Sequence, residues 1–360
     1  LNNRLTATFD WFDRRTTGML AAGIEIPKVV GTTAPLQNVA DMKNNGWELN
    51  VTWRDKIGDF SYHVGFNIYD SQAEITKFNN ESRLLSQYYK GRKTGEIWGY
   101  EADGYYTIND FNADDAKHKT WTLKEGVVKI NGINPQPGDV KFKDLRQDGV
   151  INAGDNTVDN PGDRKIIGND AARYQFGASL GAAYKGLSLE VLLQGVGKRD
   201  YWLGGAAMFP FGGAGAGDAV FQALYANQTD YWRAKSYDPT SSDYMVPVNA
   251  DSKLFRIYDQ GNNVGSNTRV SDKYLQNAAY LRIKNITLSY TLPKDWVQRA
   301  FLQDAKFYLS IENLATITSL PEGYDPEGRA ASSTANALSN GISWGYPYYR
   351  TISLGASITF

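Results

Sequence analysis

Residues 351–360 read T-I-S-L-G-A-S-I-T-F, which puts Ile352, Leu354, Ala356, Ile358 and Phe360 on one side and Thr351, Ser353, Gly355, Ser357 and Thr359 on the other. A strict period of two predicts a β-strand with one apolar face. The length matches the about 9–11 residues that a tilted strand needs to cross a hydrocarbon layer. Seven further segments carry the same pattern. Leu5, Ala7, Phe9 and Trp11 alternate with Arg4, Thr6, Thr8 and Asp10, and Trp47, Leu49, Val51 and Trp53 alternate with Glu48, Asn50, Thr52 and Arg54. Phe60, Tyr62, Val64, Phe66 and Ile68 follow, and then Tyr174, Phe176, Ala178, Leu180, Ala182 and Tyr184, an apolar band with tyrosine at both ends. Interfacial girdles hold aromatic rings at those two depths. Leu187, Leu189, Val191 and Leu193 form the next row, and Phe307, Leu309 and Ile311 a later one. In the segment 280–292, Arg282 and Lys284 fall on the same period as Ile286, Leu288 and Tyr290, which reads as a strand leaving the bilayer.

The links between these segments alternate in length. Short ones lie at 55–59, 185–186 and 293–304, and long ones at 16–45, 76–172, 199–279 and 316–347. Outer-membrane barrels have short periplasmic turns and long external loops, so the chain is expected to start and end on the periplasmic side. Eight strands could close a small cylinder, but loops this long suit a wider barrel of which these are only some of the strands.

Composition narrows the function. A net charge of −1 supplies no field for a nucleic-acid backbone, so no nucleic-acid partner is expected. With no Cys and only His63 and His118, neither a thiolate metal site nor a histidine cluster can be assembled. The 23 Tyr, 9 Trp and 35 Gly favour strands, girdles and irregular loops over helical bundles. No apolar run is long enough for a membrane helix, and the mean hydropathy of −0.46 carries little weight, because alternation dilutes every apolar residue with a polar one. Catalytic motifs such as G-x-S-x-G or H-E-x-x-H are absent, and no nucleophile, base and orienting group can be put together, so an enzyme is not expected.

The segment A-A-Y-L-R-I-K-N-I-T-L-S-Y-T-L-P-K-D-W at 278–296 resembles the late-barrel signature of SusC/RagA-like TonB-dependent transporters of Bacteroidetes. N-N-R-L-T-A-T-F-D-W-F at 2–12, G-W-E-L-N-V-T-W at 46–53, I-E-N-L-A-T-I-T at 311–318, G-Y-D-P-E at 323–327 and the closing Y-P-Y-Y-R-T-I-S-L-G-A-S-I-T-F fall in the family's order. The resemblance implies an all-β fold: residues 1–360 form the C-terminal part of a transmembrane antiparallel barrel of about 22 strands with long extracellular loops. The plug domain and TonB box are absent from this chain. The implied partners are a SusD-like surface lipoprotein, the remaining N-terminal barrel and plug, TonB through the missing segment, and membrane lipid. The implied location is the cell outer membrane, and the implied activity is import of oligomeric nutrients, oligosaccharides first and oligopeptides second.

Two readings of the residues stay open beside it, a small structural or adhesive eight-stranded barrel and a soluble β-sandwich lectin. In the barrel reading, Arg54, His63, Gln175, Ser179, Glu190, Gln194 and Glu312 face the lumen, and Phe66, Leu180, Leu309 and Leu354 face lipid. Loop aromatics are the candidate substrate contacts, namely Trp98, Tyr100, Trp121, Trp232, Tyr324 and Trp344, since flat rings stack on the apolar faces of sugars. Equally, such rings can pack loops together. Asp144, Asp148 and Asp155, with Gly149 between them, have the spacing of a calcium loop. Arg146 stands at a ligand position of that loop and places a cation there, so an Asp-Gly turn is the competing reading and no cofactor is otherwise expected.

Overall fold

A computed structural model describes residues 4–22, 29, 31, 35–112, 121–203, 208–209, 224–257, 264–327 and 348–360. Eight strands build one antiparallel sheet: β1 (Leu5–Ala22), β2 (Leu36–Ile57), β3 (Phe60–Lys77), β4 (Arg173–Tyr184), β5 (Leu187–Lys198), β6 (Tyr280–Thr291), β7 (Asp304–Thr318) and β8 (Thr351–Thr359). Each pairs with its neighbour in chain order. All eight segments that alternate in the sequence are therefore strands of the same wall.

Register turns eight separate alternations into two faces. Leu5 pairs with Trp53, Trp53 with Val64, Val64 with Leu180, Leu180 with Val191, Val191 with Ile286, Ile286 with Ile311 and Ile311 with Ile352. One apolar row thus crosses the whole sheet at a single depth. Below it Phe60, Tyr184, Leu187, Tyr290 and Phe307 form a second, aromatic row beside the short turns. A one-residue slip in any strand would send its apolar set to the opposite face, so the register is pinned wherever that face is solvated by lipid. The rows are not buried in protein: Leu354 is 83 % exposed. A water-soluble sandwich would seal them in a core.

Three features differ from the sequence expectation. First, Arg282 and Lys284 do not share the face of Ile286. A bulge at Lys284 shifts the register, so that Ile283 pairs with Leu193 and Ile286 with Val191, while Arg282 sits opposite Gln194 and Thr316. The extra residue flips the parity, and Arg282 points to the polar face. Second, the long link expected at 16–45 is mostly strand: pairing continues through Arg14 with Asn44 and Met19 with Ala40 to Ala22 with Leu36. The 22 residues of β2 span roughly 70 Å along the strand, against about 30 Å of hydrocarbon, so both faces of its far end meet water and the alternation fades there. Third, the link at 293–304 holds a short helix, α1 (Lys294–Arg299).

Among the described residues β1 pairs with β2 alone and β8 with β7 alone. The small closed barrel required Leu5–Trp11 to pair with the last strand, and that pairing is not made. No described helix is long and apolar enough to cross a membrane.

Candidate functional site at the lumen face and the loop body

The polar face of the sheet is as continuous as the apolar one. Thr8, Asn50, Asn67, Gly177, Gln194, Arg282 and Thr316 form one row, and Arg54, His63, Gly181, Glu190, Thr287, Ser310 and Ser353 another. Small residues let larger neighbours fold across them. A Cβ on Gly181 would meet the His63 ring at 2.1 Å, and one on Gly355 would meet the Tyr308 ring at 2.2 Å. His63 Nε2 lies 3.4 Å from Glu190 Oε2, and Asn285 Nδ2 donates to Ser310 Oγ at 2.9 Å. The result is a wall of hydroxyls, amides, glycines and scattered charges, interrupted by Tyr69, Leu192 and Tyr308.

The described residues of the two long connections, 78–172 and 199–279, condense into one body above this wall. Short strand pairs brace it, Glu96–Tyr100 with Arg164–Asn169, Ala102–Tyr105 with Val140–Phe142, and Asp200–Trp202 with Leu275–Asn277. Its core gathers Phe142, Ile151, Phe209, Trp232, Met245, Leu254, Phe255 and Tyr274. Hydrogen bonds between the two connections close it: Tyr105 Oη donates to the Ser252 carbonyl at 2.9 Å, and the Val140 amide to Asn267 Oδ1 at 2.7 Å.

This body decides what the candidate aromatics do. Trp232 is 0 % exposed and Tyr100 is buried in the same core, so neither presents a ring face to a ligand. Each packs the loops, the competing reading, because a ring surrounded by protein on both faces has nowhere to stack a sugar. Trp121 leans on that core from its rim, stacked on Tyr244 at 6.0 Å and edge-on to Phe111 at 5.3 Å. Trp98 is half-buried and donates Nε1–H to Tyr89 Oη at 3.2 Å. Burial pushes the Tyr89 hydroxyl up to about 12, helped by the Glu96 carboxylate to which it donates at 2.7 Å. Tyr324 belongs to a second cluster with Tyr201, Leu203, Ala278 and Leu320. Trp344 lies outside the described residues. The five described rings are thus not brought together into one platform.

The acidic loop forms a tight turn. Asp144 Oδ2 accepts from the Gly149 amide at 2.7 Å, Arg146 Nη2 donates to Asp148 Oδ2 at 2.6 Å, and Asp155 Oδ2 accepts from Asn160 Nδ2 at 2.8 Å. Although burial opposes it, the backbone amides of Gly149, Gln147 and Asp148 hold the Asp144 carboxyl below the usual carboxylate range. Among the described residues no three acidic or histidine side chains converge as a metal site requires.

Sequence reasoning missed the group that joins loop to wall. The fully buried Arg282 reaches Asp325 Oδ1 at 2.7 Å, Glu327 Oε1 at 3.0 Å and Thr316 Oγ1 at 2.8 Å. Lys284 Nζ reaches Glu327 Oε2 at 3.0 Å and stands 4.6 Å from the Tyr348 ring centroid. Burial disfavours the Asp325 carboxylate, but bonds from the Glu327 amide, the Arg282 guanidinium and the Tyr348 amide outweigh it and hold its pKa low. The signal was present as two motifs, Y-L-R-I-K and G-Y-D-P-E, but only the bulge at Lys284 turns the first toward the second.

No protein-family model matches the chain. TonB-dependent receptor P3 of Formosa agariphila is 25 % identical over 381 residues, covering all of this chain and 33 % of that protein. TonB-dependent receptor SusC of Bacteroides thetaiotaomicron is 23 % identical over 364 residues, again all of this chain and 30 % of that protein. Among solved structures, that of the RagAB peptide transporter superposes with a TM-score of 0.62 at 21 % identity, covering 100 % of this chain and 34 % of its own. That likeness shows the fold. The chain spans about a third of the length of the curated relatives it matches.

Proposed function

We propose that this chain, a SusC/RagA-like TonB-dependent transporter sequence of the outer membrane, forms the C-terminal part of the barrel wall through which oligomeric nutrients are imported. One observation carries the reading: an apolar row crosses all eight strands and two polar rows cross seven each on the opposite face, a pattern that matches one face to acyl chains and the other to a hydrated passage.

The remaining barrel, a plug and a TonB-contacting segment belong to the part of the protein that precedes this wall in its longer relatives. A SusD-like lipoprotein is the partner at the outer mouth, where the loop body offers a folded surface. For cargo, oligosaccharides are proposed first, following the SusC-like relatives, and oligopeptides second. Neither choice rests on Trp232 or Tyr100, and Trp98, Trp121 and Tyr324 remain the proposed contacts among the described rings. Deleting the gene and supplying defined oligosaccharides, oligopeptides or the corresponding monomers as sole nutrient tests this. Growth on one oligomer class should be lost while growth on its monomer is kept. Unchanged growth on every oligomer sinks the import reading.

A further inference from the structure

The link between β6 and β7 is longer than a tight turn requires, and its position has a consequence. Ala305 stands in the same column as Phe307 and Leu309, on the lipid face, because β7 pairs with β8 without a register shift from Asp304 to Glu312. Phe307 is exposed, yet Ala305 is only 3 % exposed. Helix α1 contacts β7, and its Val297 is buried like Ala305. The shared burial of these two residues is the ground for placing α1 against the outer side of the wall at its lower end. Its remaining apolar groups point away from the protein: Trp296 is 61 % exposed and Phe301 93 % exposed. Phe301 has φ 57°, a left-handed backbone that disfavours an aromatic residue, so the ring is held out at some conformational cost. Lys294 and Arg299, at the two ends of the helix, are both exposed.

We propose that α1 and Phe301 form an interfacial foot that docks into the glycerol and headgroup region of the periplasmic phospholipid leaflet. Continuity selects the occupant: the foot extends the aromatic row of Tyr184, Tyr290 and Phe307, which already marks the lower boundary of the lipid-facing surface. Tryptophan favours this depth because its body is apolar and its N–H wants a polar partner, and lysine and arginine reach outward from it to lipid phosphate. Across the sheet, the other two short connections are tight turns at Gly58 and Lys185–Gly186, so the foot is a single-sided feature of this wall.

The inference rests on the membrane orientation of the sheet and is independent of cargo. It is tested with the complete transporter folded into vesicles of phosphatidylethanolamine and phosphatidylglycerol, using lipids brominated at different depths. The Trp296→Phe variant should remove a blue-shifted component of the fluorescence that shallow bromines quench best. In the same variant background, Leu309→Trp reports the barrel itself and should be quenched best by deep bromines. If the Trp296 component is red-shifted and quenched by aqueous iodide, while the tryptophan at Leu309 still answers to deep lipid, the foot is refuted and the barrel stands. If the Trp296 component is blue-shifted but shallow bromines do not quench it, the transporter itself and not lipid shields the ring, which equally overturns the proposal.

Discussion

Phe307 and Leu354 stand exposed on the wall, while Phe142 and Trp232, residues of the same kind, are sealed inside the loop body. The difference lies in the solvent each region was built for. The wall delegates its apolar contacts to lipid, so its stability comes from ladder hydrogen bonds and from matching rows across strands. The loop body stands in water and must bury its own apolar groups, as any small domain does. Substitutions should therefore have opposite signatures in the two regions, and the group between them should be the most sensitive of all.

The largest effect is expected at that junction. Replacing Arg282 by Met leaves Asp325 without its cation and Glu327 with Lys284 alone in a site with little water, which costs about 3–5 kcal/mol. Lys284→Met removes a more exposed partner and should cost under about 1 kcal/mol. Urea unfolding of the bilayer-embedded protein, followed by proteolysis of the loop body, separates the two. Equal costs would show that the cluster is not a joint. Protonation offers a second approach. Because the Asp325 pKa is depressed in the fold, its contribution is complete above the unfolded carboxylate range and is lost as pH falls below that range through the folded value. Loosening of this loop should therefore begin only in strong acid.

Trp232→Ala comes next, at about 3–5 kcal/mol of loop-body stability, because a large cavity opens in its core. Proteases should then cut within 78–172 and 199–257 while the wall keeps its heat-resistant mobility in gels. On the wall the sensitive change is a charge and not a cavity. Leu309→Arg, on the lipid face near mid-depth, should cost about 2–4 kcal/mol. Leu192→Arg, which faces the polar side opposite Ser179 and Asn285, should cost far less. If both wall variants behave alike in refolding titrations, the face assignment is wrong.

How much of each region could be read from the sequence follows from the same contrast. On the wall the period of two reports which face a residue takes however far away its partner strand lies, as for Leu180 with Val64 and Val191 with Ile286, so alternation alone assigns Leu180, Val191 and Ile311 to their face. Arg282 was misplaced because a bulge is one residue without a sequence mark of its own. In the loop body the contacts that decide a ring's role are made over 100 residues apart, as between Tyr105 and Ser252 or Val140 and Asn267. Nothing local separates Trp232, which is core, from Trp121, which is rim. The pairing of Y-L-R-I-K with G-Y-D-P-E spans 43 residues from Arg282 to Asp325 and likewise carries no local mark.

A smaller effect is expected where an aromatic ring lies over glycine. Gly355→Ala forces its Cβ into the Tyr308 ring and should cost about 1–3 kcal/mol, and Tyr308→Ser in the same chain should restore most of it. Additive costs in the double variant would mean that the ring does not rest on that glycine.

The smallest effect concerns Asp144, Asp148 and Asp155, and here the loop body is expected to show almost none. A calcium site at this turn would link ion concentration to stability: at a hundredfold excess over its dissociation constant, bound calcium adds about 2.7 kcal/mol. The geometry offers no such linkage, because the Asp144 carboxylate already accepts from the Gly149 amide and Arg146 occupies Asp148. An arginine in that place supplies internally the positive charge that an ion would bring. Thermal unfolding of the loop body should therefore be unchanged by adding calcium or a chelator, and Asp155→Asn should stay within about 0.5 kcal/mol of the parent. Arg146→Asp is the informative variant: by removing the cation and adding a ligand it should create calcium-dependent protection that the parent lacks. Calcium dependence in the parent itself would instead mean that Arg146 swings away and the three carboxylates close on an ion.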